Sequence, residues 1–170
     1  NSSGVVATDV TGVGTARTGP GAAAYGTDKA IFAYGYSGGY VSVSNLVNNS
    51  GVVATDVSGV GTARNGLGGA EYGVGLAIFG YGYNTSRLSL TNLVSNSGVV
   101  ASDTSGVGTG RSGSNAARYG GDKAIFAYGY SGGYVSMSNL VNTSGVVASD
   151  VSGVGTARAE LSAAGYSTSA

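Results

Sequence analysis

The sequence predicts an all-β chain: a β-propeller-like array of four-stranded antiparallel blades, built from 47-residue repeats and incomplete as a single chain. Three observations predict it. First, "AIFAYGYSGGYVSVSNLV" at 30–47 returns at 124–141 with one substitution, Val43 becoming Met137, and a looser copy, "AIFGYGYNTSRLSLTNLV", sits between them at 77–94. Second, "GVVATDVTGVGTAR" begins at Gly4 and recurs from Gly51, Gly98 and Gly145, on the same beat of 47. Third, each repeat holds four short segments of strand character, and four strands in ~40–50 residues is the size of a propeller blade. Units of this length bury their apolar faces only against their neighbours.

The first segment of a unit is made of small residues: "GPGAAAYG" at 19–26, matched by "NAARYG" at 115–120 and "LSAAGYS" at 161–167. Small side chains suit an innermost strand crowded around a central axis. The second, "KAIFAYGY" at 29–36, combines Ile31, Phe32, Tyr34 and Tyr36, the β-branched and aromatic types that suit a pleated, half-buried surface. In the third, Val41, Val43 and Leu46 are interrupted by Ser42 and Ser44, and side chains alternating in this way face opposite sides of a sheet. "GVVATDV" is the fourth, outer strand. Between them stand turn signals such as "SGG" at 37–39, "VNNSG" at 47–51 and "TGVGT" at 11–15. No Gly-free stretch of ten residues has helical periodicity.

The order "TAR…GAAAYGTDKAIFAYGY…YVSVSNLVNNSGVVATDV" resembles a kelch repeat: an Arg before a small-residue inner strand, a hydrophobic second strand ending in glycines, an alternating third strand and an outer fourth. The family's diglycine is here Tyr-Gly-Tyr (34–36, 81–83, 128–130), and its outer-strand Trp is replaced by Val53, Val100 and Val147. In the phase this resemblance implies, residues 1–18 are a partial repeat ending a blade, 19–65, 66–112 and 113–159 are three blades, and 160–170 begin another. The phrasing also resembles tandem-repeat proteins of bacteriophage and environmental viral genomes, which implies a tail fibre or virion appendage and a virion or extracellular location.

A closed propeller needs ~4–8 blades, and an open one leaves strand edges unpaired. Further repeats of the same protein, or another copy, are therefore expected as partners. The chain opens and stops part-way through a repeat and is read as a processed chain or a piece of a longer repeat protein. The alternative architecture is a β-solenoid or stacked fibre.

Composition narrows the function. Eight basic residues balance eight acidic ones, leaving no electrostatic footprint for nucleic acid or an anionic membrane. There is no Cys and no His, so thiolate chemistry and acid-base chemistry near neutral pH lack their usual groups. Apolar runs fall far short of the ~20 residues that span a bilayer. No cofactor, no metal, no nucleic acid and no membrane insertion are expected.

Two residue sets stand out. Tyr36, Tyr40, Tyr83, Tyr130 and Tyr134, with Arg87 where the other copies have Tyr, are candidate ligand-binding residues: tyrosines on a rim stack on sugar rings or grip a protein at low entropy cost. Tyr34, Tyr81 and Tyr128 are expected to pack between blades. The second set is Asp9, Asp56, Asp103 and Asp150, each eight residues before Arg17, Arg64, Arg111 and Arg158. These are candidate structural ion pairs, formed within a strand-turn-strand step or from the Arg of one blade to the Asp of a neighbour. The expected function is a non-enzymatic structural and adhesive module that binds a host-surface glycan or another virion protein. The alternatives are an extracellular filament or S-layer subunit, and a glycan-cleaving domain using Glu71, Glu160 or the Asp series.

Overall fold

The computed structural model describes residues 8–165. Residues 1–7 of the partial repeat at 1–18, and 166–170 of the segment at 160–170, lie outside the described residues. Nine strands form and no helix occurs among the described residues. They are β1 (Gly21–Tyr25), β2 (Lys29–Tyr36), β3 (Tyr40–Val47), β4 (Gly68–Tyr72), β5 (Leu76–Gly80), β6 (Thr91–Val94), β7 (Asn115–Tyr119), β8 (Lys123–Tyr130) and β9 (Tyr134–Val141). They make three separate antiparallel meanders, β1-β2-β3, β4-β5-β6 and β7-β8-β9, one in each 47-residue repeat.

The segment expected as a fourth strand does not join the ladder. After β3, Asn48 closes a turn by accepting the Ser50 and Val52 amides on its side-chain oxygen. The chain then runs back along β3, touching it at two isolated bridges, Val47 to Val53 and Ser44 to Val57. Three residue steps on β3 are matched by four on the returning segment, so the register slips by one and a regular ladder is lost. Inside the slip the Asn45 side chain, not the backbone, donates to the Ala54 carbonyl at 3.1 Å. The same pattern recurs at Val94 with Val100 and at Val141 with Val147. At 161–165, where a further small-residue strand is expected, no strand forms, although the Glu160 amide docks on the Gly113 carbonyl.

The sheets pack face to face, and each junction holds a core drawn from both sides. Ala23, Ile31 and Tyr34 of the first repeat close on Leu67, Ala77 and Phe79 of the second. Ala70, Ile78 and Tyr81 close in the same way on Ala116, Ala124 and Phe126 of the third. Neither face would be covered without its neighbour. The small residues of the first strand follow from this packing: a Cβ on Gly69 would lie 2.6 Å from the Ala22 carbonyl oxygen, and one on Gly21 2.9 Å from the Phe79 ring. A spine of backbone hydrogen bonds ties the repeats together, from the Gly66 amide to the Gly19 carbonyl (3.0 Å), Gly113 to Gly66 (2.8 Å) and Glu160 to Gly113 (2.9 Å).

Candidate functional site

The Tyr-Gly-Tyr phrase positions the site. Strand β2 carries a register shift between Ala33 and Gly35, and Tyr34 inside it adopts φ 65°. Left-handed backbone costs a non-glycine residue roughly 1–2 kcal/mol, yet Tyr81 (φ 66°) and Tyr128 (φ 60°) repeat it. The return is that Tyr34 leaves the strand's alternation and enters the junction, where it is fully buried, edge-on to Phe79 at 5.8 Å. Its hydroxyl donates to the Val60 carbonyl (3.1 Å). Burial pushes its pKa up to about 12, against the pull of Arg64. Gly35, at φ 125°, turns its amide to the Arg64 carbonyl, where the chain leads into the next repeat (2.8 Å). Normal alternation then returns, and Tyr36 faces out of the sheet edge, 41 % exposed.

Tyr36 begins a continuous row. It lies directly opposite Tyr40 across the "SGG" turn, and their rings meet edge-to-face at 5.3 Å. Tyr40 reaches the second repeat, 6.1 Å from Tyr83. Desolvation, and then the Tyr83 and Tyr36 hydroxyls, raise the Tyr40 pKa. In the second repeat Arg87 occupies the place of Tyr40 and makes the same two connections by a different interaction. Its guanidinium stands 6.0 Å from the Tyr83 ring centre and 4.6 Å from that of Tyr130, within cation–π range. Tyr130 meets Tyr134 at 5.6 Å, and Tyr134 is 66 % exposed. The six candidate ligand-binding residues thus form one chain of contacts across three repeats, a relationship the linear spacing does not contain. Tyr83 also borders a groove of about 480 Å³ lined by Pro20, Asn65, Leu67, Ser112 and Leu161.

The turn that presents Arg87 differs from its counterparts. Replacing "SGGY" with "NTSR" shortens the flanking strands, so that Tyr83 and Arg87 pair only through an isolated bridge. Thr85 at its tip has φ 152°, where a β-branched residue is a genuine outlier.

The recurring Asp and Arg residues form a second constellation, between repeats. The structure does not bring together residues eight apart; Arg17 lies 3.9 Å from Asp56, and Arg111 3.9 Å from Asp150. Between them stands an Asn that the sequence reading did not single out. Arg64 donates to the Asn92 side-chain oxygen (2.7 Å), to the Tyr81 carbonyl (2.8 Å) and to the Thr62 carbonyl (2.9 Å). Asn92 in turn donates to Asp103 (2.8 Å) and to the Ala101 carbonyl (3.0 Å). Thr62 closes the circuit by donating its hydroxyl to Asp103 (2.6 Å). The other face of Arg64 covers the Tyr34 ring at 4.1 Å. Burial pushes the Asp103 carboxyl up, but the hydrogen bonds from Thr62 and Asn92, with Arg64 beyond, outweigh it and leave the pKa lowered.

The circuit repeats with Arg17, Asn45, Asp56 and Thr15, and with Arg111, Asn139, Asp150 and Thr109. Arg64 and Arg111 are fully buried, whereas Arg158, stacked on Tyr128 at 3.9 Å, is exposed. Asp9 is exposed. The signal that could have found the Asn was a polar residue standing in every copy, at 45, 92 and 139, within a strand otherwise alternating apolar and Ser or Thr. Glu71, a candidate acid, is paired with Arg118 of the next repeat at 2.8 Å.

Among the described residues no helix is long and apolar enough to cross a membrane. No protein-family model matches the chain, and no curated protein matches it either.

Proposed function

We propose that this chain is a non-catalytic structural and adhesive repeat module whose aromatic row binds a glycan, in the setting of a phage tail fibre or virion appendage. The observation that carries the adhesive part is the unbroken row Tyr36, Tyr40, Tyr83, Arg87, Tyr130, Tyr134, in which Tyr36, Arg87 and Tyr134 are exposed and the other three half-buried. Each ring offers an apolar face and a hydroxyl, the combination that grips a sugar ring, and repetition across three units multiplies weak contacts along one polymer. The circuit of Arg, Asn, Asp and Thr supplies the rigidity: with Arg64 and Arg111 buried at the junctions, the row sits on fixed supports. The phage setting rests on the resemblance of the repeat phrasing.

For the architecture, we read each meander with its returning outer segment as one blade of a propeller-like array. Phe32 supports continuation of that array: it is 39 % exposed, while its equivalents Phe79 and Phe126 are fully buried against the preceding repeat's Tyr34 and Tyr81. A further repeat of the same kind fits that face, and stacking of this sort is also what a filament subunit would use.

Glycan-array binding tests the function. Retention on a defined saccharide, lost in Tyr83→Ala and Tyr130→Ala with the melting temperature held within a few degrees, supports it. Binding only to a protein, or release of cleaved sugar from the array, overturns it.

A further inference from the structure

Arg87 breaks the repeat in a specific way. At the same place the first and third repeats carry Tyr40 and Tyr134, and nothing about packing demands a charge there, because Tyr40 spans the equivalent gap by ring-edge contact alone. The guanidinium is exposed, and among the described residues no hydrogen bond or ion pair is made to it. The other inter-repeat arginines have partners: Arg17, Arg64 and Arg111 donate to asparagines and backbone carbonyls, although the Nε of Arg17 and of Arg111 is left unpaired, and Arg118 pairs with Glu71. Arg87 alone stands in the aromatic row with its donors unused, its guanidinium carbon 4.6 Å from the Tyr130 ring centre and 6.0 Å from that of Tyr83. An arginine over an aromatic face keeps its N–H groups available, and those groups match a carboxylate in a two-point geometry. The strained turn at Thr85 supports the same reading, since backbone strain persists where a side chain must be aimed.

We infer that the glycan bound by the row is acidic, with a sugar carboxylate seated on Arg87 between Tyr83 and Tyr130. This rests on the row being the glycan-binding surface. In such a site the two rings hold neighbouring sugar faces, and Arg87 sets the register by catching the charged group of the ring between them. The carboxylate arrives ionised and no proton or bond changes hands.

The test compares polygalacturonate with its fully methyl-esterified form, which shares the sugar and lacks the charge, beside a panel of neutral, carboxylated and sulfated saccharides. The intact chain is expected to prefer carboxylated members by roughly tenfold over neutral ones, the scale of one charge-assisted contact, with the preference shrinking as salt rises. Arg87→Tyr, which restores the residue of the other repeats and keeps the fold, is expected to erase the preference while retaining neutral binding. Equal binding of charged and neutral saccharides, or a preference untouched by Arg87→Tyr, overturns the inference and leaves the aromatic row intact as a glycan site. A preference for sulfated over carboxylated members overturns the assignment to a carboxylate. Failure to bind any saccharide in the panel overturns both.

Discussion

The Arg64 guanidinium lies 4.1 Å from the ring centre of Tyr34 in one repeat while donating a 2.7 Å hydrogen bond to Asn92 in the next. One side chain therefore belongs to both sides of a junction. Arg64→Ala leaves the Asn92 oxygen and the Tyr81 carbonyl without donors in a buried setting, and losing one member of such a network costs about 3–5 kcal/mol. Arg64→Lys recovers little of this, since a single ammonium cannot serve three acceptors in one plane. Arg158→Ala, at an exposed position, changes stability by at most about 1 kcal/mol. Urea unfolding of the three variants checks the order.

Acid sensitivity follows from the carboxylates. Asp56, Asp103 and Asp150 all have lowered pKa values in the folded chain. The stability they contribute is fully present above the ordinary carboxylate value of ~3.9 and is lost as pH falls below it through the folded values. Melting temperature is expected to hold from pH 7 to 5 and to drop steeply between pH 4 and 2. Asp103→Asn flattens that drop; a variant with the same acid slope as the parent counts against the circuit.

The alkaline limb has the opposite origin. Burial raises the Tyr34 pKa to about 12 and also raises that of Tyr81. The fold therefore favours the neutral phenols, and their contribution is intact below the ordinary value of ~10 and declines as pH climbs towards 12. Ultraviolet titration should show this pair ionising above the ordinary tyrosine range. Tyr34→Phe gives up the hydrogen bond to Val60, worth about 1 kcal/mol, and lessens the loss of stability above pH 10.

Close approach of the first strands makes a third kind of prediction. Gly69→Ala places a methyl group 2.6 Å from the Ala22 carbonyl oxygen, an overpacking expected to cost about 1–3 kcal/mol. Gly39→Ala, which meets nothing within 4 Å, is the matched control and should be near neutral. Equal melting temperatures for the two would mean that the sheets are not packed at this distance.

The repeat length, the three meanders and the turns between them were legible in the sequence because each is a local matter. Alternation of Val and Ser, a Gly-rich turn and a β-branched run decide strand and reversal within a few residues, and a strict period copies the decision three times. The burial of Tyr34 was also within reach, since Tyr-Gly-Tyr interrupts an apolar strand in every copy. The fourth strand was misjudged for a reason local pattern does not carry: Asn45 reaches across to Ala54 and the register slips by one. Pairing of Arg17 with Asp56 and not with Asp9 likewise depends on which repeat lies against which. The same holds for the aromatic row. Tyr40, Tyr83 and Arg87 are ordinary turn-flanking residues until face-to-face packing of the sheets, driven by apolar faces that no single repeat can bury, sets the β2–β3 turn of one meander beside the β5–β6 turn of the next. Spacing along the chain settled what each repeat is; the distance between sheets settled which residues meet.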